Sequence, residues 1–110
     1  MVVQEDKFRL QRRNMPGLNE KTVSSSRGLT YYWTNEIKSS VSLVFLPGLT
    51  ADHRLFEPQL LFFREEFKVL VWDCPCHGKS RPYETFSYAN ISDELNRILE
   101  TEGVDQAVFI

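Results

Sequence analysis

The stretch FKVLVWDCPCHGKS (67–80) decides how this chain folds. Val69, Leu70, Val71 and Trp72 form an almost unbroken apolar run closed by Asp73. A short run of this kind, rich in branched residues, is a strand covered on both faces, as in a parallel sheet. The next segment, CPCHGKSRPYETF (74–86), carries two prolines and a glycine and reads as a loop. Upstream, VSLVFL (41–46) has the same apolar character and is broken by Pro47-Gly48. Between the two runs, DHRLFEPQLLFFREEF (52–67) has helical spacing at Leu55, Phe56, Gln59, Leu60 and Phe63. Asp52 is placed to cap that helix, and Pro58 fits only in or near its first turn, where a missing N–H costs little.

The same alternation continues downstream. Ser87 caps a second helix with Tyr88, Ile91, Leu95, Ile98 and Leu99 on one face, ending at Gly103. QAVFI (106–110) reads as a third buried strand. At the front, KTVSS (21–25) and GLTYYWTNE (28–36) read as a hairpin turning at Ser26-Arg27-Gly28. Residues 1–20 form an N-terminal arm or edge strand around DKFRLQRR (6–13), with a turn at Asn14-Met15-Pro16-Gly17. The order β-β-β-α-β-α-β predicts an α/β fold over residues 21–110: a hairpin, then parallel strands joined by crossover helices.

Composition narrows the function classes. A chain of 110 residues holds one small domain, and its net charge of −2 gives no reason to expect a nucleic-acid partner. The charge is uneven: residues 1–40 carry seven Lys/Arg against four Asp/Glu, residues 41–110 six against eleven. No apolar run approaches the ~18 residues of a membrane span. The start, MVVQEDKFRLQRR, has no signal-peptide core, so no membrane association and a cytoplasmic location are expected. Cys74 and Cys76, one residue apart, match no metal-binding or redox spacing and are expected to be reduced thiols.

In an open α/β sheet, ligands bind beyond the C-terminal ends of the strands. Two loops lie there. In LPGLTADH (46–53), Gly48 allows a tight turn and Leu49 can offer its N–H to a developing oxyanion; a plain strand-to-helix turn is the other reading. In DCPCHGKS (73–80), the Asp73 carboxylate can accept N–H bonds that hold the loop, or act as a catalytic acid. His77 is either a base or a loop-packing histidine, with no orienting partner evident nearby. His53 stands in a first helical turn near the mouth of the site. Gly78-Lys79-Ser80 is not a nucleophile elbow, because Pro82 stands where the last glycine of G-x-S-x-G belongs. Nor is it a P-loop, because Asp73 stands where the first glycine is required.

Together the two loops resemble the N-terminal third to half of an α/β-hydrolase of the serine type. Members typically show a strand, His-Gly-x, a helix, a strand, D-x-x-G-h-G-x-S, a helix, and a strand into G-x-S-x-G. Here VFLPGL, VLVWDCPCHGKS and AVFI stand in that order. Gly48 matches the first glycine and Leu49 the oxyanion-hole donor; Asp73, His77, Gly78 and Ser80 match the second motif in register. Pro47 replaces the usual His, which affects packing around the hole and leaves the backbone donor in place. Cys76 stands where a glycine is common, and a non-glycine there resists positive φ, so an altered loop is expected.

The resemblance implies hydrolysis of an ester, thioester or related bond in a small-molecule substrate, without cofactor or metal. It places Ser, acid and His beyond Ile110. The expectation is an N-terminal portion that ends before its nucleophile elbow, is inactive by itself, and leaves an apolar sheet edge open to self-association. The alternative is a short binding or regulatory module that pairs through that edge.

Overall fold

The computed structural model describes residues 17–110. The 6–13 segment of the expected N-terminal arm lies outside them. Asn19–Ser25 (β1) and Gly28–Thr34 (β2) form the antiparallel hairpin, with Ser25 paired to Gly28 across the turn. Ser42–Phe45 (β3), Val69–Trp72 (β4) and Ala107–Phe109 (β5) complete one sheet in the order β1-β2-β4-β3-β5. β2 runs antiparallel to β4, whereas β3 is parallel to both β4 and β5. The C-terminal ends of the three parallel strands therefore lie along one edge.

Period-two alternation sorts the core into two layers. Trp33, Phe45, Val69 and Val71 face one side and pack with Leu18 and Leu60. Tyr32, Val44, Leu70 and Trp72 face the other and pack with Val23 and Ile98. All four residues of β4 are buried, as its unbroken apolar sequence requires. Asn35, at the exit of β2, joins three segments. Its amide donates to the Arg64 and Phe67 carbonyls at 2.7 and 2.8 Å and accepts from the Val69 N–H at 3.0 Å.

The first helical region divides into a 3₁₀ turn, His53–Phe56, and a short α-helix, α1 (Glu57–Phe63). Pro58 opens α1, the position that suits a residue without an N–H. The Asp52 side chain caps the 3₁₀ turn by accepting from Arg54 N–H. The break rotates Leu55 out of the expected apolar stripe, and it is exposed. Leu60 is fully buried, with Phe56 and Phe63 packed beside the same cluster. The second helix, α2 (Tyr88–Thr101), starts at the Ser87 cap as expected. Ile98 is buried, and Ile91, Leu95 and Leu99 are packed against the core. Tyr88 is instead exposed.

β5 departs from the expected buried strand. Val108, Phe109 and Ile110 are about half exposed. β5 pairs with β3, and its other edge has no partner among the described residues.

Candidate functional site

The loop after β3 turns over Gly48-Leu49-Thr50, closed by a bond from Ala51 N–H to the Gly48 carbonyl at 3.1 Å. A side chain at Gly48 would meet nothing within 4 Å, so the space beside it is open. Gly48 is not the residue that takes up the left-handed conformation; Thr50 does so, at φ +71°. A β-branched residue in this region is a backbone outlier, and such outliers persist only where the surroundings hold them. Leu49 is 69% exposed, and its N–H has no acceptor among the described residues.

The loop after β4 is organised by one fully buried carboxylate, Asp73. Its Oδ2 accepts from Lys79 N–H at 2.8 Å. Its Oδ1 accepts from His53 N–H at 2.7 Å and lies 2.9 Å from His53 Nδ1. Each carboxylate oxygen already accepts from a backbone N–H, so Nδ1 is placed as a further donor to Oδ1. Gly78, at φ +47°, lies so close to the carboxylate that a side chain there would collide with it. Ser80 is fully buried: its Oγ donates to the Asp73 carbonyl at 2.6 Å and accepts from Tyr31 N–H at 2.8 Å. With the hydroxyl committed in both directions, Ser80 has no geometry for nucleophilic attack.

His53 is buried, and its ring stacks on Trp33 with centroids 3.7 Å apart and planes at 20°. His77 is half-buried, with Nδ1 3.1 Å from the Pro75 carbonyl and its ring 5.8 Å from that of Phe86. No carboxylate orients it among the described residues. Cys76 adopts φ +74° despite being a non-glycine residue, so the left-handed turn forms in place of the altered loop expected from the sequence. Its N–H donates to the Ser80 carbonyl at 2.9 Å, which closes the turn. Both thiols are free; burial, with Cys76 nearby, pushes the Cys74 thiol up to about 11, leaving it protonated and unreactive near neutrality.

The structure thus draws Asp73, Gly78, Ser80 and His53 into one tie between the two loops. Gly48 and Leu49 stand at the open end of the first loop, and His77 turns toward Phe86. An open cleft of about 1260 Å³ lies beside the tie, lined by Asp52, His53, Arg54, Gly78 and Lys79 among others; Gly48 and Leu49 do not line it. A second cleft, about 820 Å³, lies at the opposite ends of the parallel strands. Lys21 and Lys68 pair there with Glu102 at 3.2 and 3.1 Å, a network that ties β1, the start of β4 and the end of α2 together. The His53–Asp73 pair was not evident in the sequence, where the partners are 20 residues apart and only the fold joins them.

The mixed sheet, with its last strand beside its first parallel strand, is the first part of an α/β-hydrolase fold. Similar proteins agree with this assignment. The 3-oxoadipate enol-lactonase 1 of Acinetobacter baylyi is 25% identical over 75 residues, which is 68% of this chain and 28% of that protein. The 2-succinyl-6-hydroxy-2,4-cyclohexadiene-1-carboxylate synthase of Pectobacterium atrosepticum is 36% identical over 64 residues, 58% of this chain and 25% of that protein. Among solved structures, Est816, described as an N-acyl homoserine lactone degrading enzyme, superposes with a TM-score of 0.72 at 26% identity, over 81% of this chain and 34% of that one. No protein-family model matches the chain. It spans about a quarter to a third of the length of these proteins. No helix among the described residues is long and apolar enough to cross a membrane.

Proposed function

We propose that this chain is the oxyanion-side scaffold of an α/β-fold hydrolase that cleaves an ester, thioester, lactone or related bond in a small molecule. The observation that carries the reading is the Leu49 N–H. It lies in an open turn at the C-terminal end of a parallel strand, without an acceptor among the described residues and beside a backbone outlier. A preorganised N–H in such a place stabilises the negative charge that develops on a carbonyl oxygen during acyl transfer. Two of the similar proteins are named for lactone chemistry, which supports a carbonyl substrate.

Attack itself requires an activated nucleophile. Among the described residues no serine hydroxyl or cysteine thiol is hydrogen-bonded to a histidine ring, and the Ser80 hydroxyl is committed to the backbone. The 110-residue chain is accordingly proposed to be inactive by itself. Incubation with nitrophenyl esters and a fluorophosphonate probe is expected to give neither turnover nor labelling. Grafted in place of the segment it matches in the A. baylyi enol-lactonase, the same chain should support lactone hydrolysis. Turnover by the isolated chain, or a folded chimera with no activity, contradicts the reading.

A further inference from the structure

We infer that His53 is the positioning residue of this site: its Asp73-bonded imidazole, seated on Trp33, fixes the 48–52 turn and thereby the direction of the Leu49 N–H. The inference rests on the oxyanion-donor reading above and assigns what holds that donor in place. Thr50 supplies the first observation. An exposed β-branched residue at φ +71° has no steric reason of its own to stay there. Beyond the Ala51 N–H bond to the Gly48 carbonyl that closes it, the turn is held from its ends.

One end is fixed by β3, which is hydrogen-bonded on both sides. The other end is His53. Its backbone N–H and its Nδ1–H converge on the same Asp73 oxygen, at 2.7 and 2.9 Å. Two donors from one residue on one acceptor fix both the main chain and the ring. The Trp33 indole, fully buried in β2, covers one face of that ring at 3.7 Å and limits its rotation. Asp73 cannot yield either, since its second oxygen holds Lys79 N–H and Gly78 is packed against the carboxylate. The turn that carries Leu49 is thus anchored to the β4 loop through His53, by its backbone N–H and its ring, and neither loop is set independently of the other.

Packing and hydrogen bonding make opposite predictions for two variants. His53→Phe keeps a flat ring for Trp33 and loses the Nδ1–H. His53→Asn loses most of the stack and keeps an N–H within reach of Asp73. The experiment is ¹⁵N relaxation on the whole 110-residue chain, with the Leu49, Thr50 and Lys79 amides as reporters. In the parent chain, order at 49–50 should approach that of rigid backbone, about 0.85. In His53→Phe it should fall below about 0.6 at 49–50 while Lys79 stays ordered, and His53→Asn should recover it. Equal behaviour of the two variants, or no change at Leu49 in His53→Phe, overturns the inference.

A second measurement needs no variant. Long-range ¹H–¹⁵N spectra of the parent chain should show a slowly exchanging proton on His53 Nδ1. An Nδ1 without that proton overturns the inference. These readouts report order and protonation only, so they succeed or fail whether or not Leu49 proves to be an oxyanion donor.

Discussion

Asp73 accepts N–H bonds from Lys79, from the His53 backbone and from the His53 ring, and does so fully buried. Bonds to a charged acceptor are worth ~1.5–3 kcal/mol each, and truncating the acceptor leaves the donors buried and unpaired. Asp73→Ala should therefore destabilise the chain by ~3 kcal/mol or more, read as a lower urea midpoint at unchanged slope. A loss below ~1 kcal/mol would mean that the carboxylate does not hold the loops. Gly78→Ala should cost more than ~1 kcal/mol, because it combines positive φ with a collision against that carboxylate. At this scale the sequence was partly legible. Asp73, Gly78 and Ser80 stand at a recognisable spacing on a recognisable strand end. His53 has no such spacing to its partner, and the turn at Thr50 could not be read because a threonine gives no sign of left-handed backbone. Cys76 shows the converse: its neighbours impose a conformation that its own propensity opposes.

At the scale of elements, α2 is held to the sheet by two carboxylates as much as by its apolar face. Glu94 is 1% exposed and accepts from Tyr83 OH at 2.6 Å, Ser25 Oγ at 2.8 Å and Arg97 Nε at 3.2 Å. Glu102 accepts from Tyr32 OH at 2.6 Å and pairs with Lys21 and Lys68. Burial works against both charges. The hydrogen bonds from Tyr83, Ser25 and Arg97 to Glu94, and from Tyr32, Lys68 and Lys21 to Glu102, outweigh it and hold both groups below the usual glutamate range. A carboxylate with a folded pKa below its unfolded one stabilises the fold above the unfolded pKa, ~4.3, and loses that contribution as pH falls through the folded value. Thermal stability should therefore decline on acidification below about pH 4.3, and the Glu94→Gln, Glu102→Gln pair should flatten that decline. An unchanged acid profile in the double variant would show that neither carboxylate governs acid stability. The succession of strands and helices and the caps at Asp52 and Ser87 were legible here from period and capping residues. The one sequence signal of the buried Glu94 is a carboxylate between Ile91 and Ile98 on the apolar stripe. The exposure of Leu55 follows from a 3₁₀ turn whose phase differs from the α-helical one assumed for the segment.

At the scale of the molecule, the two sheet edges differ in character. β1 carries Glu20 and Lys21 and is polar apart from the buried Val23, a guarded edge. β5 presents Val108 and Phe109, with Ile110 following it, all about half exposed, and pairs with β3 alone among the described residues. We propose that an apolar edge of this kind recruits further strands, so the 110-residue chain should self-associate with rising concentration in sedimentation velocity runs. Phe109→Lys should shift it toward monomer without lowering its melting temperature by more than a few degrees. A chain that stays monomeric at high concentration, or a Phe109→Lys variant that associates as strongly, would dismiss the edge as the cause.

The central claim is that the Leu49 N–H is an oxyanion donor, and the lactonase chimera tests it through two substitutions at one position. Leu49→Pro removes the N–H; Leu49→Ala removes most of the side chain and keeps it. In chimeras shown to be folded by circular dichroism, Leu49→Pro should lower kcat by ~10²–10³-fold while Leu49→Ala stays within a few-fold of the parent. Equal rates for the proline and alanine chimeras would contradict the claim.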